Sequence, residues 1–220
     1  MANENDKKII DIEDAYGRLE LYFEDHKNNI ILVLGAIIVL VGGFLAWKYY
    51  YIPGQEVKAE KDMYVAESYF DSDSTKQAVE LFGSIADQYG STPSGNLAEY
   101  YLGISYYKQG DYDNAIKSLK SFSTNDLILG PVAIGVIGDA EMQMGKIDEA
   151  IPYYLKAAEK NKNEFSSPIY LKKAAMAYES EQKYEEALKL YQQLKSDYAT
   201  TSEGRDADKY IARMQTLLNK

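Results

Sequence analysis

The sequence predicts an all-α protein: a single N-terminal transmembrane helix, then an α-solenoid of about four helical hairpins and a C-terminal capping helix. Three observations predict it. Ile30 to Ile52 is the only long apolar run. A pattern of small and aromatic residues then recurs about every 35 residues. The last stretch carries apolar side chains on one helical stripe. In order, the expected parts are an acidic amphipathic segment (1–29), the span (30–52), a linker (53–58), the repeats (59–95, 96–130, 131–167 and 168–201) and the cap (202–220).

In the first segment, Ile12, Tyr16, Leu19 and Phe23 are spaced 4-3-4, one apolar face of a short helix with Asp and Glu on the other. An acidic face argues against adsorption to anionic lipid. Docking on a partner or on the protein's own span is expected; the plain alternative is an amphipathic lead-in helix.

From Ile30 to Trp47 there is no charged residue. Lys48 can snorkel to headgroups, and Trp47, Tyr49, Tyr50 and Tyr51 form an aromatic belt. A helix over Ile30 to Ile52 is about 34 Å long, enough to cross a bilayer with some tilt. Pro53-Gly54 is expected to end it. A cleaved signal peptide fits poorly, because a long polar segment precedes the run and no small-x-small site follows. The other alternative, a buried helix of a soluble protein, fits no better, since nothing else in the chain is uniformly apolar. Gly35, Gly42 and Ala46 share a face and would let another span approach closely, or are ordinary small residues facing lipid. Arg18 and Lys27 before the run balance Lys48, Lys58 and Lys61 after it, so charge does not set the orientation.

The repeats align on Ala78, Ala115, Ala150 and Ala187, which are 37, 35 and 37 apart. One residue on stand Val79, Ile116, Ile151 and Leu188, and four on stand Phe82, Leu119, Tyr154 and Tyr191. Twelve before the alanines are Ala66, Gly103, Gly138 and Ala175; nine before are Tyr69, Tyr106, Glu141 and Tyr178. Small residues let paired helices approach, aromatics fill the spaces between hairpins, and stacking buries what one hairpin cannot. This register resembles the tetratricopeptide repeat. Gln109-Gly110-Asp111 and Met144-Gly145-Lys146 give the clearest turns. The first turn, Asp71 to Ser74, lacks glycine, so a soft boundary is expected there. Glu141, Gly135 and Gly138 make the third repeat the one expected to be least rigid, and Pro152 is placed near the start of its second helix. Tyr210, Ile211, Met214, Leu217 and Leu218 form the stripe of the cap, with Ser202 as its expected N-cap.

The resemblance implies a groove lined by positions two, five, nine and twelve of each first helix. The candidate groove residues are Met63, Phe70, Leu97, Tyr100, Ile104, Tyr107, Met142, Ile169, Lys172 and Met176. Glu60, Glu67, Val132, Gly135, Asp139 and Glu179 share these positions. The family's two-carboxylate clamp needs Lys and Asn at several of them, and only Lys172 fits. Met and aromatic side chains instead suit adaptable contact with extended or unfolded chain; the alternative is that some only pack the next hairpin or the cap.

Composition narrows the function classes. The formal charge is −10, and from Glu56 onward 26 acidic residues stand against 19 basic ones with no basic stripe, so nucleic acid is a poor partner. The lack of cysteine removes disulfides, thiolate metal sites and a cysteine nucleophile. The one histidine, His26, beside the apolar run, leaves no Ser–His–Asp triad and no His-rich metal site. No phosphate-binding glycine motif is present. No enzyme, cofactor or small-molecule substrate is therefore expected.

Leu21-Tyr22-Phe23-Glu24-Asp25-His26-Lys27, the glycines Gly35 and Gly42-Gly43, and Ala46-Trp47-Lys48-Tyr49-Tyr50 together resemble the start of the YfgM family of single-span bacterial inner-membrane proteins. The resemblance covers the first 50 residues by short pattern and the remainder by architecture. It implies an N-terminus in the cytoplasm and repeats in the periplasm. It also implies association with the Sec translocon beside a PpiD-like anchored chaperone, and a holdase or adaptor role for newly exported proteins. The runner-up is a structural scaffold that assembles an envelope or division complex through one fixed partner; a cytosol-facing receptor is a third reading.

Overall fold

The computed structural model describes residues 4–219, and side chains from Gly17 onward apart from Leu19 and Phe23. The chain divides into two compact units, 1–54 and 55–220.

In the first unit one helix, α1 (Glu4–Ala46), carries both the acidic segment and most of the apolar run. The acidic segment is thus not a separate short helix. The side chains of Ile12, Tyr16, Leu19 and Phe23, which define its expected apolar face, lie outside the described residues. A π-helical turn follows at Trp47–Tyr51, in which the Ile52 N–H donates to the Trp47 carbonyl. Pro53 and Gly54 do not end a helix. They occupy the first turn of α2 (Ile52–Asp71). Proline has no N–H to give to the ladder, and the wider π turn just before it accommodates the loss. The large apolar side chains from Ile31 to Leu45 are exposed, and the helix is long and apolar enough to cross a membrane. Positions 35 and 42 have open space around them, and Ala46 is exposed.

The second unit is a run of paired helices: α2 with α3 (Thr75–Tyr89), α4 (Pro93–Gln109) with α5 (Tyr112–Ser121), α6 (Leu129–Gln143) with α7 (Ile147–Glu159), and α8 (Ser167–Ser180) with α9 (Tyr184–Asp197). The small residues expected at the helix crossings are all buried. A Cβ on Gly103 would sit 2.5 Å from Leu119 Cγ, and one on Gly138 would sit 2.8 Å from Tyr154 Cε1, the same crossing one repeat later. Gly138 therefore admits a ring and leaves no gap in its helix.

All four hairpin turns have one geometry. Asp73, Gly110, Gly145 and Gln182 take left-handed φ of 57°, 79°, 76° and 57°. The next residue's N–H then reaches back five positions, from Ser74 to Tyr69, Asp111 to Tyr106, Lys146 to Glu141 and Lys183 to Tyr178, at 2.9–3.0 Å. This is the Schellman closure of a helix. The first turn is therefore as sharply bounded as the rest, with aspartate in the left-handed position that glycine holds in the middle two. The acceptor is a backbone carbonyl, which is why Glu141 serves where the other repeats carry tyrosine.

Two further expectations change. Pro152 is the sixth residue of α7, in its interior, and costs one ladder hydrogen bond. The cap is two helices, α10 (Ser202–Arg205) and α11 (Ala207–Leu218). Its N-cap is Thr201, whose Oγ1 accepts from the Gly204 N–H at 3.1 Å, while Ser202 bonds the neighbouring Glu203 carboxylate. Four of the five stripe residues pack together: Met214 is fully buried, with Tyr210, Ile211 and Leu217 against the same cluster; Leu218 is half-buried outside it.

Candidate functional site

The inner face of the second unit is built by α4, α6 and α8. Tyr100, Ile104 and Tyr107 follow one another along α4, half-buried. The Tyr100 ring lies edge-on to Tyr101 and tilted on Phe122, and Tyr107 packs on Tyr112. Burial raises the hydroxyl pKa of both Tyr100 and Tyr107; at Tyr107 the nearby Asp139 carboxylate adds to it.

On α6 the decisive residue is Gly135. A Cβ there would lie 1.9 Å from Tyr170 Cε1. The ring of Tyr170, from α8, fills the notch that glycine leaves. One turn on, Asp139 accepts hydrogen bonds from the Tyr154 hydroxyl at 2.7 Å and from Lys173 Nζ at 2.7 Å to each oxygen. Lys173 Nζ also stands 5.7 Å from the ring centroids of Tyr154 and Tyr170. Burial first, then the Asp139 hydrogen bond, pushes the Tyr154 hydroxyl far above its ordinary pKa; burial and the Asp139 charge do the same to Tyr170.

Beside this polar centre is a shallow pocket of about 320 Å³, lined by Asp139, Met142, Tyr154, Lys173, Met176, Ala177 and Ser180. Met176 is 51% exposed and Ile169 is 38% exposed. The site therefore offers ring faces, two flexible thioethers and one ion pair whose acceptor oxygens are already engaged. That suits recognition through adaptable apolar contact and supplies no free base. Among the described residues, no cluster of three side chains suited to a metal ion is present.

The ten candidate groove residues separate accordingly. Met176 and Ile169 stand exposed on this surface, while Tyr100, Ile104 and Tyr107 are half-buried against the cluster of Ile116, Leu119, Ala133 and Ile137, and Met142 is half-buried against the cluster of the later hairpins. Met63 lies off this surface: it is 4% exposed and packs with Ala78 and Phe82 in the core of the first hairpin. Phe70 packs edge-on against Phe82 and Tyr101 and is covered by Lys108, whose Nζ is 4.4 Å from the ring. Leu97 joins the same cluster. Lys172 faces the cap, 5.5 Å from the Tyr210 ring. Arg213 from α11 donates to Glu179, and Tyr210 stacks on Tyr191 at 4.9 Å. The cap thus closes the groove at its fourth-repeat end. Tyr154, Tyr170 and Lys173 were not among the candidates. Lys173 lies 34 residues after Asp139, close to one repeat length, and Gly135 is the only glycine at an inner position. Both signals were present in the sequence.

Comparison with known proteins agrees with this architecture. Residues 22–127 match a tetratricopeptide repeat-like domain, and residues 136–200 match a tetratricopeptide repeat. No curated protein matches the chain. Among solved structures, similarity extends to a tetratricopeptide repeat protein from Parabacteroides merdae (16% identity, TM-score 0.59, covering 72% of this chain and 60% of that one). It extends also to the nearly identical TPR-like repeats of a putative kinesin light chain from Podosopora anserina (17% identity, TM-score 0.57, 74% and 87% covered). The MamA protein is similar at 17% identity with a TM-score of 0.53, covering 74% and 92%. At these identities the likeness is one of fold.

Proposed function

We propose that this tetratricopeptide repeat protein is a membrane-anchored holdase or adaptor, associated with the Sec translocon, that receives newly exported chains in the periplasm. The observation that carries the reading is the inner face of α4, α6 and α8, where the partly buried Tyr100, Ile104, Tyr107 and Met142 and the exposed Met176 form an apolar strip. Extended segments of many sequences fit such a surface. The apolar helix supports the tether, since the domain model matching residues 22–127 runs through it into the repeats. Tethering raises local concentration and makes a weak groove effective. The likeness of the first 50 residues to the YfgM family supports the translocon, a PpiD-like partner and an N-terminus in the cytoplasm.

The test uses the full chain in phosphatidylcholine nanodiscs. It is expected to suppress aggregation of a urea-diluted unfolded client, and Tyr100→Ala with Tyr107→Ala is expected to weaken this about tenfold. Unchanged suppression by the double variant removes the groove reading. The alternative reading is a scaffold with one fixed partner docked on the same strip. Tight binding of one folded envelope protein, with indifference to unfolded chains, would decide for the scaffold. Protease added outside spheroplasts is expected to digest the repeats; intact repeats would place them in the cytosol.

A further inference from the structure

On the flank of α6 away from the inner face lies a second pocket, of about 380 Å³. Its α6 residues are Gly130, Ala133, Ile134 and Ile137. At about 100° per residue these lie opposite Val132, Gly135, Asp139 and Met142, so the two pockets are distinct. The second one exists because α5 is short. It has 10 residues, against 15, 13 and 14 for α3, α7 and α9. The helix stops at Ser121, and the chain runs on extended through Phe122, leaving a gap between the end of α5 and α7.

The gap has an apolar floor, including Leu119, Phe122, Ile134, Ile137 and Tyr153, and a rim of Lys120, Lys156 and Lys160. Lys120 Nζ stands 5.5 Å from the Tyr153 ring. The Lys160 stem passes over Gly130, where a Cβ would meet its Cε at 2.7 Å. None of the three lysines has a carboxylate within 4.0 Å among the described residues, in a chain of net charge −10. Lys156 and Lys160 are also i and i+4, a like-charge pair that costs a few tenths of a kcal/mol in isolation. The helix C-termini nearby tolerate these cations; they do not explain why three converge over one apolar floor.

We propose that this pocket binds an acidic peptide segment of a partner protein, with one aliphatic or aromatic side chain on the floor and flanking carboxylates on the three ammonium groups. Charge complementarity selects that occupant: a single phosphate would leave the floor uncovered, and a singly charged lipid headgroup would leave two lysines unmatched. The site shares no lining residue with the inner-face pocket.

The test is fluorescence anisotropy with full-length protein in phosphatidylcholine nanodiscs. The probe is a fluorescein-labelled peptide Gly-Glu-Asp-Leu-Phe-Glu-Asp-Gly, compared with its amide counterpart Gly-Gln-Asn-Leu-Phe-Gln-Asn-Gly. The acidic peptide is expected to bind, and the amide one to bind at least about tenfold more weakly. Lys120→Gln with Lys156→Gln and Lys160→Gln removes the three charges while keeping most of each stem; it is expected to lower affinity about tenfold or more, with a melting temperature lowered by no more than a few degrees. The Met176→Ala variant, which alters the inner-face pocket and no residue of this one, is expected to bind the peptide normally, which separates this site from the groove. Absence of binding, equal binding of both peptides, or an indifferent lysine variant overturns the proposal. So does capture of phosphatidylglycerol vesicles through these lysines in place of the peptide.

Discussion

The joint between the first and second hairpins and the joint between the second and third have the same parts: the end of one helix, a connector, and the start of the next. Their characters are opposite. At the first joint, Thr92 Oγ1 accepts from the Gly95 N–H at 3.0 Å, and the Thr92 N–H donates to the Tyr89 carbonyl at 2.8 Å. Glu56, at the start of the stack, accepts from the Ser94 N–H and hydroxyl, placing a carboxylate at the N-terminus of α4 where the helix dipole favours it. Lys108 pairs with Asp73 across the two hairpins. The spacing Tyr-x-x-Thr-x-x-Gly recurs at Tyr198, Thr201 and Gly204, where the cap joins the fourth hairpin with the same bonds. At the second joint the connector is longer, α5 ends early, and among the described residues no ion pair links the two hairpins. Asp126 fastens the connector locally, accepting from the Ile128 and Leu129 N–H groups at 2.8 Å. A closed joint stores its stability in backbone fit; an open one leaves lined space for a ligand.

The largest test of this contrast is Gly95→Ala. Its Cβ would fall 1.9 Å from the Tyr89 carbonyl oxygen, and backbone cannot swing aside as a side chain does. A loss of about 3 kcal/mol is expected, read as a melting temperature lower by about 6–12 °C in circular dichroism. Gly204→Ala, 1.9 Å from the Tyr198 carbonyl oxygen, is expected to behave alike. Equal stability in either variant would show that the joint is not rigid.

Alkaline pH probes the later joints. Burial raises the hydroxyl pKa of Tyr154, Tyr170 and Tyr191 in the folded chain, with Asp139 or Glu179 adding to it. An unfolded tyrosine releases its proton near pH 10, and the folded one keeps it, so above about pH 10 the folded state binds more protons and stability falls as pH rises. Each such tyrosine contributes up to about 1.4 kcal/mol per pH unit there; below that pH its contribution is intact. Denaturant titrations at pH 9 and above about pH 10 are expected to show the slope, and Tyr191→Phe to reduce it.

Next comes Lys173→Ala, which leaves the Asp139 carboxylate with Tyr154 alone. The pair is only partly buried, so a cost of about 1 kcal/mol is expected; a loss near zero would mean the third joint does not depend on it. Smallest is Gly130→Ala in the open joint. Its Cβ meets the flexible Lys160 stem closely and Thr124 Cγ2 at an ordinary contact distance of 3.5 Å, so a change within about 0.5 kcal/mol is expected. A large loss would mean that the pocket is a closed joint after all.

Much of this was legible in the chain. Ala78, Ala115, Ala150 and Ala187 announce the hairpin crossings because a crossing tolerates only small side chains, and all four are fully buried. The turn at Asp73 was harder to read, because a left-handed residue need not be glycine. Met63 was misplaced because its register is shared with groove residues elsewhere, while the first hairpin turns that side of α2 into its own core. Pro152 and the split cap were missed for a similar reason: periodicity marks the face of a helix better than its ends.

By itself the sequence determined the apolar helix, the four hairpins and their register, since these follow from local hydrophobic period and from side-chain size at fixed intervals. The tertiary structure alone decided which inner residues stay open, how the cap closes one end of the groove, and where the short α5 leaves a lysine-rimmed pocket. Those outcomes depend on which side chain from another helix arrives at a given place, as Tyr170 does at Gly135, and no period along one helix encodes that arrival.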